Sequence, residues 1–172
     1  TLCRRLSIAV MPFRKCLAAA LWGDAGDRSI FPVVWAQCTS GVFERVTEDR
    51  FRLPYLYCTS LCRDVDPDEA RKLHQAAAAV LFMPPDRAMT LDDAFSCVSH
   101  HIRAGQPEAA VHAAMALLTS AMTADRVDVL RVLSSRFALV ISEDLLGRDV
   151  SAQSRVGWHT LSGAVAHRCG DI

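Results

Sequence analysis

The chain has 172 residues, 51% hydrophobic and 22% charged, with 19 Lys+Arg against 19 Asp+Glu. This composition excludes a disordered chain, and the length is enough for one good core or two small ones. A formal net charge of zero excludes the basic field that draws in nucleic acid or an acidic membrane surface.

Leu2 to Val10 is a short apolar-periodic segment with Arg4 and Arg5 on its polar side, stopped at Met11-Pro12. Phe13 to Trp22 carries Phe13, Cys16, Leu17, Ala20 and Leu21 at helical spacing, and Gly23-Asp24-Ala25-Gly26-Asp27 breaks it. Ser29 is a cap for a third helix reaching Thr39, with Pro32 in its first turn. Ile30, Val33, Val34 and Cys38 form its apolar stripe, and Ser40-Gly41 ends it. Two strand-like runs follow, Val42 to Val46 and Phe51 to Leu53, joined by a polar turn. Three short helices and then a hairpin is the order of a winged helix, expected here over residues 1–64.

Beyond the hairpin, Tyr55 to Cys62 reads as helix. Asp66-Pro67-Asp68-Glu69 is a strong helix start: a carboxylate cap, proline in the first position, acids in the first turn. Ala70, Leu73, Ala77, Val80 and Leu81 recur on one face until Pro84-Pro85. Thr90 to Asp93 resembles a capping box for a helix to about Ala104. Gly105-Gln106-Pro107-Glu108 is a tight helix-to-helix turn into a helix ending near Met122. Val127, Leu130, Leu133, Phe137 and Val140 mark another, Gly147 and Ser151 bracket a connection, and Ser154 to Cys169 is the last helix. Ile102-Arg103-Ala104-Gly105-Gln106 and His167-Arg168-Cys169-Gly170-Asp171 share a pattern 65 residues apart, near twice the roughly 34-residue tetratricopeptide period. The expected fold is mainly α: a winged-helix unit with a small β-hairpin, then tetratricopeptide-like antiparallel helical pairs over 65–172.

The chain carries no P-loop, zinc-protease or nucleophile-elbow motif, so no catalytic, cofactor or metal residue is assigned. Seven cysteines without a C-x-x-C read as reduced, buried thiols, with Cys58 and Cys62 as two buried small side chains. His100, His101 and His112 are the densest histidines, but adjacent helical residues diverge by about 100°, so helix-surface histidines are expected rather than a metal site. Tyr55, Tyr57, Trp22, Trp35 and Trp158 are expected in the core. For a winged helix the reflex partner is DNA, with Arg28, Arg45, Arg50 and Arg52 as the contacts. The third helix offers only Gln37 as a base reader, and the wing alternates acid and base, so nucleic acid is disfavoured.

Leu6-Ser7, the run Phe13-Arg14-Lys15-Cys16-Leu17-Ala18, the hairpin Val42 to Leu53, and Leu73-His74-Gln75-Ala76-Ala77-Ala78 resemble the region after the NTPase module of STAND-class signal-transduction ATPases and large transcriptional regulators. The resemblance implies a non-catalytic regulatory fragment of a longer, cytoplasmic, ATP-driven switch. Its winged helix would dock on the NTPase module of the same chain. Its helical array would bind a protein or small-molecule ligand, with no membrane partner and no cofactor of its own. Many members carry a Met-His-Asp-like motif where this chain has Leu53-Pro54-Tyr55-Leu56, so no nucleotide contact is carried over. His74 lies too far downstream to substitute.

Overall fold

The computed structural model describes residues 2–9, 12–22, 27–82 and 89–170, with Leu2, Lys15 and 27–31 described in backbone only. The expected breaks at Gly23 to Gly26 and at Pro84-Pro85 lie outside the described residues. The protein is mainly helical with one small three-stranded antiparallel sheet. It divides into two compact units, Thr1–Ala88 and Met89–Ile172. The expected boundary after Asp64 therefore falls inside the first unit.

The first unit runs α1 (Leu2–Leu6), β1 (Phe13–Arg14), α2 (Lys15–Trp22), α3 (Asp27–Thr39), β2 (Glu44–Arg45), β3 (Arg50–Arg52), α4 (Tyr55–Cys62) and α5 (Pro67–Phe82). The sheet order is β1-β3-β2, with Phe13 opposite Phe51 and Glu44 opposite Arg52. This corrects the expectation that Phe13 opens a helix. Pro12 has no N–H for a helical turn, and Phe13 finds both a ladder partner and an aromatic one. Its ring meets Phe43 edge-on at 5.6 Å and Phe51 at 6.3 Å.

The hairpin strands are also shorter than their apolar runs. The N–H groups of Val42 and Phe43 both donate to the Gln37 carbonyl, closing the C-terminus of α3, so pairing starts only at Glu44. Gly41 makes that closure possible: its φ of +76° is the left-handed conformation glycine adopts without strain.

Leu6, Ile8, Leu21, Val34 and Phe51 are fully buried and form the core of the unit. Arg5 ties three elements together by donating to the Leu21 and Trp22 carbonyls at the end of α2 and to Glu69 of α5. Asp66 caps α5 as the sequence predicts, its carboxylate accepting from the Asp68 and Glu69 N–H groups at 2.9 and 3.1 Å. Leu73, Ala77 and Leu81 of α5 are buried as expected.

The second unit runs α6 (Leu91–Arg103), α7 (Pro107–Thr123), α8 (Val127–Ala138), α9 (Glu143–Asp149) and α10 (Ala152–Cys169). The capping box at the head of α6 forms: Thr90 Oγ1 accepts from the Asp93 N–H, and the Asp93 carboxylate accepts from the Thr90 N–H at 3.0 Å. Gly105 takes φ +71° and Pro107 is the first residue of α7, so that turn is built as its residues dictate. The turn from α7 to α8 has the same construction with Asp125 at φ +54° in place of glycine. In both, the residue after the left-handed one donates back five residues, Gln106 to the His101 carbonyl and Arg126 to the Ala121 carbonyl, and then caps the next helix.

Two expectations change. Gly147 lies inside α9, which Ser142 caps, and α10 begins at Ala152 rather than Ser154 because Ser151 caps it. His100 is fully buried rather than on the helix surface, alongside Cys97 and Val98. It follows the apolar side of α6, which packs on both α7 and α8. Leu118, Leu130 and Phe137 complete this core.

Candidate interaction surfaces

Three of the four arginines offered as DNA contacts, Arg45, Arg50 and Arg52, are held by the protein itself. Arg52 donates through Nε to Glu44 at 2.9 Å, and both side chains are half exposed, so the pair presents no net charge. Arg45 donates to the Thr47 carbonyl and lies over the Trp35 ring at 5.7 Å. Arg50 donates to the Pro12 carbonyl at 3.3 Å. Arg28 falls within α3, and its side chain is outside the described residues. Gln37 is half buried and its side-chain oxygen faces Cys3 Sγ.

The three histidines do not converge. His100 is buried, His101 Nδ1 sits 3.1 Å from Gln106 Oε1, and His112 Nε2 sits 2.9 Å from Ser154 Oγ. Among the described residues no group of three or more His, Cys, Asp or Glu side chains could hold a metal ion.

His112 instead belongs to a cluster that sequence reading misses, because its members lie more than 40 residues apart. The Glu108 carboxylate on α7 accepts from the Ser151 N–H at 2.8 Å, from Ser151 Oγ at 2.9 Å and from Ser154 Oγ. These bonds hold the carboxyl well below its usual range, at about 2, the Ser154 hydroxyl contributing most and the two Ser151 donors next.

The residue types match a Ser–His–Glu triad, but the proton connectivity does not. A nucleophilic serine gives its proton to the histidine, and the acid orients the far ring nitrogen. Here Ser154 Oγ bonds the Glu108 carboxylate directly, and Glu108 lies 3.5 Å from the same His112 Nε2 that meets Ser154 Oγ at 2.9 Å, so the acid does not orient the far ring nitrogen. A carboxylate held near 2 is a poor base at neutral pH. The arrangement joins α7 to the head of α10 and gives no activated nucleophile.

Beside its exposed charged residues, the first unit exposes an apolar helix. No residue of α4 is buried, and its sequence YLYCTSLC contains no charge. Tyr55, Leu56 and Tyr57 are 78, 79 and 52% exposed. Trp22 and Trp35 are exposed as well, so of the five aromatic residues expected in the core only Trp158 is buried. Cys62 is exposed and Cys58 half exposed, which corrects their reading as two buried side chains. For Tyr55, Tyr57, Cys58 and Cys62 the reason is common: α4 packs on α1 along a limited contact, leaving most of its circumference to solvent.

The second unit carries a groove of about 560 Å³ where the start of α6, the end of α7 and the start of α8 meet. Compared with known protein families, curated proteins and solved structures, the chain matches none. Among the described residues no helix is long and apolar enough to cross a membrane.

Proposed function

We propose that this chain is a non-catalytic regulatory and protein-interaction module of a larger STAND-like signalling ATPase or transcriptional regulator. Its first unit acts as a winged-helix docking element and its second as part of a tetratricopeptide-like sensor or partner platform. The element order α1-β1-α2-α3-β2-β3 with sheet order β1-β3-β2 supports the winged-helix reading. The repeated helix-to-helix turns at Gly105 and Asp125 support the helical-pair reading.

The observation that carries the docking role is α4, an uncharged helix with no buried residue directly after the hairpin. An exposed Tyr-Leu-Tyr run matches the anchors of a protein interface and not a phosphate-binding surface. Of the arginines that would serve DNA, Arg45, Arg50 and Arg52 are already bound to Glu44, to backbone carbonyls and to Trp35. Counterion release, which drives duplex binding, needs basic groups without such partners.

Fluorescence anisotropy with a labelled duplex at low salt, alongside an ATP-turnover assay, tests this reading. The expected result is no binding and no turnover. Duplex binding that weakens on neutralising Arg45, Arg50 and Arg52 would establish a DNA-binding regulator instead, and turnover would remove the non-catalytic assignment.

A further inference from the structure

We propose that the groove of the second unit is a binding site for an uncharged, largely apolar small molecule. This inference rests on the sensor role proposed above and supplies its ligand class. The walls are Leu91 from the start of α6, Leu117 from α7, and Val129, Val132 and Leu133 from α8, with Met89 at one edge. Leu133 is buried while Val132 remains 37% exposed, so the floor is a finished core and the rim is open apolar surface. A volume of about 560 Å³ lies inside the roughly 300–1,000 Å³ range of pockets that take small organic ligands.

The charges at the mouth decide the ligand class. Among the described residues Arg126 and Asp128 are the only charged residues of the lining, and they bind each other bidentately at 3.0 and 2.9 Å. A charged ligand would have to break that pair and then lie against apolar walls, so complementarity favours a neutral one. Of the two lining hydroxyls, Thr90 is committed to the capping box with Asp93. Ser120, on the exposed side of α7, is the other and can meet one polar atom of a ligand.

The extent of the groove separates a compact molecule from a docked helix. On α7 and α8 its lining spans Leu117 to Ala124 and Arg126 to Leu133, about two turns and about 12 Å each. A docked amphipathic helix longer than the two turns from i to i+7 would overrun that length. The lining is the corner of three helix ends, an open groove that is short and wide.

The probe for the test is N-phenyl-1-naphthylamine, a neutral apolar fluorophore, titrated into the intact chain beside its anionic counterpart anilinonaphthalene sulfonate. Saturable 1:1 binding of the neutral probe is expected, tighter than that of the anion. Val132→Asp places a charge on the open wall, and Ala124→Trp fills the groove from an exposed helix end; each should weaken binding about tenfold or more. Leu139→Ser, at an 81% exposed leucine outside the lining, should leave it unchanged. Circular dichroism confirms folding, and if Val132→Asp misfolds the Ala124→Trp result stands alone. Non-saturable binding, equal loss in Leu139→Ser, or tighter binding of the anion overturns the proposal. Absence of probe binding together with absence of duplex binding sinks the ligand class alone, whereas duplex binding sinks the regulatory reading whatever the probe does.

Discussion

Phe51 is the side chain on which the first unit turns, and its truncation gives the sharpest test of that fold. It lies on the central strand of the sheet, is 1% exposed, and stands opposite Phe13 across the ladder. Phe51→Ala removes a buried ring and leaves a space that two strands cannot close without losing their pairing. Truncations of this kind cost about 3–5 kcal/mol, of which about 0.5–1.5 belongs to the lost aromatic pair. Against a total stability of about 5–15 kcal/mol that is a large fraction. With a urea m-value of about 2 kcal/mol/M the midpoint should fall by about 2 M.

Leu56→Ala is the matched control. It removes an apolar side chain of similar class that is 79% exposed, so it should move the midpoint by less than about 0.5 kcal/mol in equivalent stability. Urea unfolding followed by far-ultraviolet circular dichroism measures both. A Phe51→Ala variant within about 1 kcal/mol of the parent, or a Leu56→Ala variant as damaged as Phe51→Ala, would refute the placement of the core beneath β3.

Three further outcomes follow from the same geometry. Thr90→Ala removes the hydroxyl of the capping box and should cost about 1 kcal/mol, read as an earlier thermal transition with little change in native helicity. Glu108 has a folded-state pKa depressed to about 2, so its contribution to stability is complete above the ordinary carboxyl range and is lost as pH falls from there through about 2. Chemical unfolding from pH 7 down to 2 should therefore show a decline over the acid end of that range that is smaller in Glu108→Gln, and an unchanged profile in that variant would dismiss the cluster as a structural clasp. Cys62 should alkylate rapidly under native conditions, while Cys97, buried and pushed up to about 12 by desolvation, should react only on unfolding; mass spectrometry of iodoacetamide-treated protein reads both sites.

The sequence discloses what is local. The Asp66 cap, the Thr90–Asp93 box and the Gly105–Pro107 turn each depend on residues within a few positions, and each forms as its chemistry predicts. β1 is not legible because two residues carry no period, and the partner that makes them a strand lies in β3, beyond two intervening helices. α4 misleads for a different reason. Its apolar composition is the usual mark of a core helix, and only the packing shows that little covers it. The cluster around Glu108 joins residues 43 and 46 positions apart, so no spacing rule could assemble it.

Asp125 shows how one backbone solution can be written in two sequences. At Gly105 the left-handed turn costs nothing because there is no Cβ; at Asp125 the same turn carries a side chain that few residues but Asn and Asp tolerate there. The chain puts that side chain to use, since the Asp125 carboxylate accepts from the Arg168 guanidinium near the end of α10. Arg131 of α8 likewise donates to the Cys169 carbonyl at 2.8 Å. Arg136 of α8 pairs with Asp92 of α6. These three contacts hold helices of the second unit to one another, as Glu44 and Thr47 hold Arg52 and Arg45 of the hairpin. Beside these exposed charge pairs the protein also leaves apolar surface to solvent: α4 with its Tyr-Leu-Tyr run, and separately the groove rimmed by Val132. A partner that buried this hydrocarbon would keep its affinity as salt is raised, whereas duplex binding would fall with salt, so a salt titration separates the two.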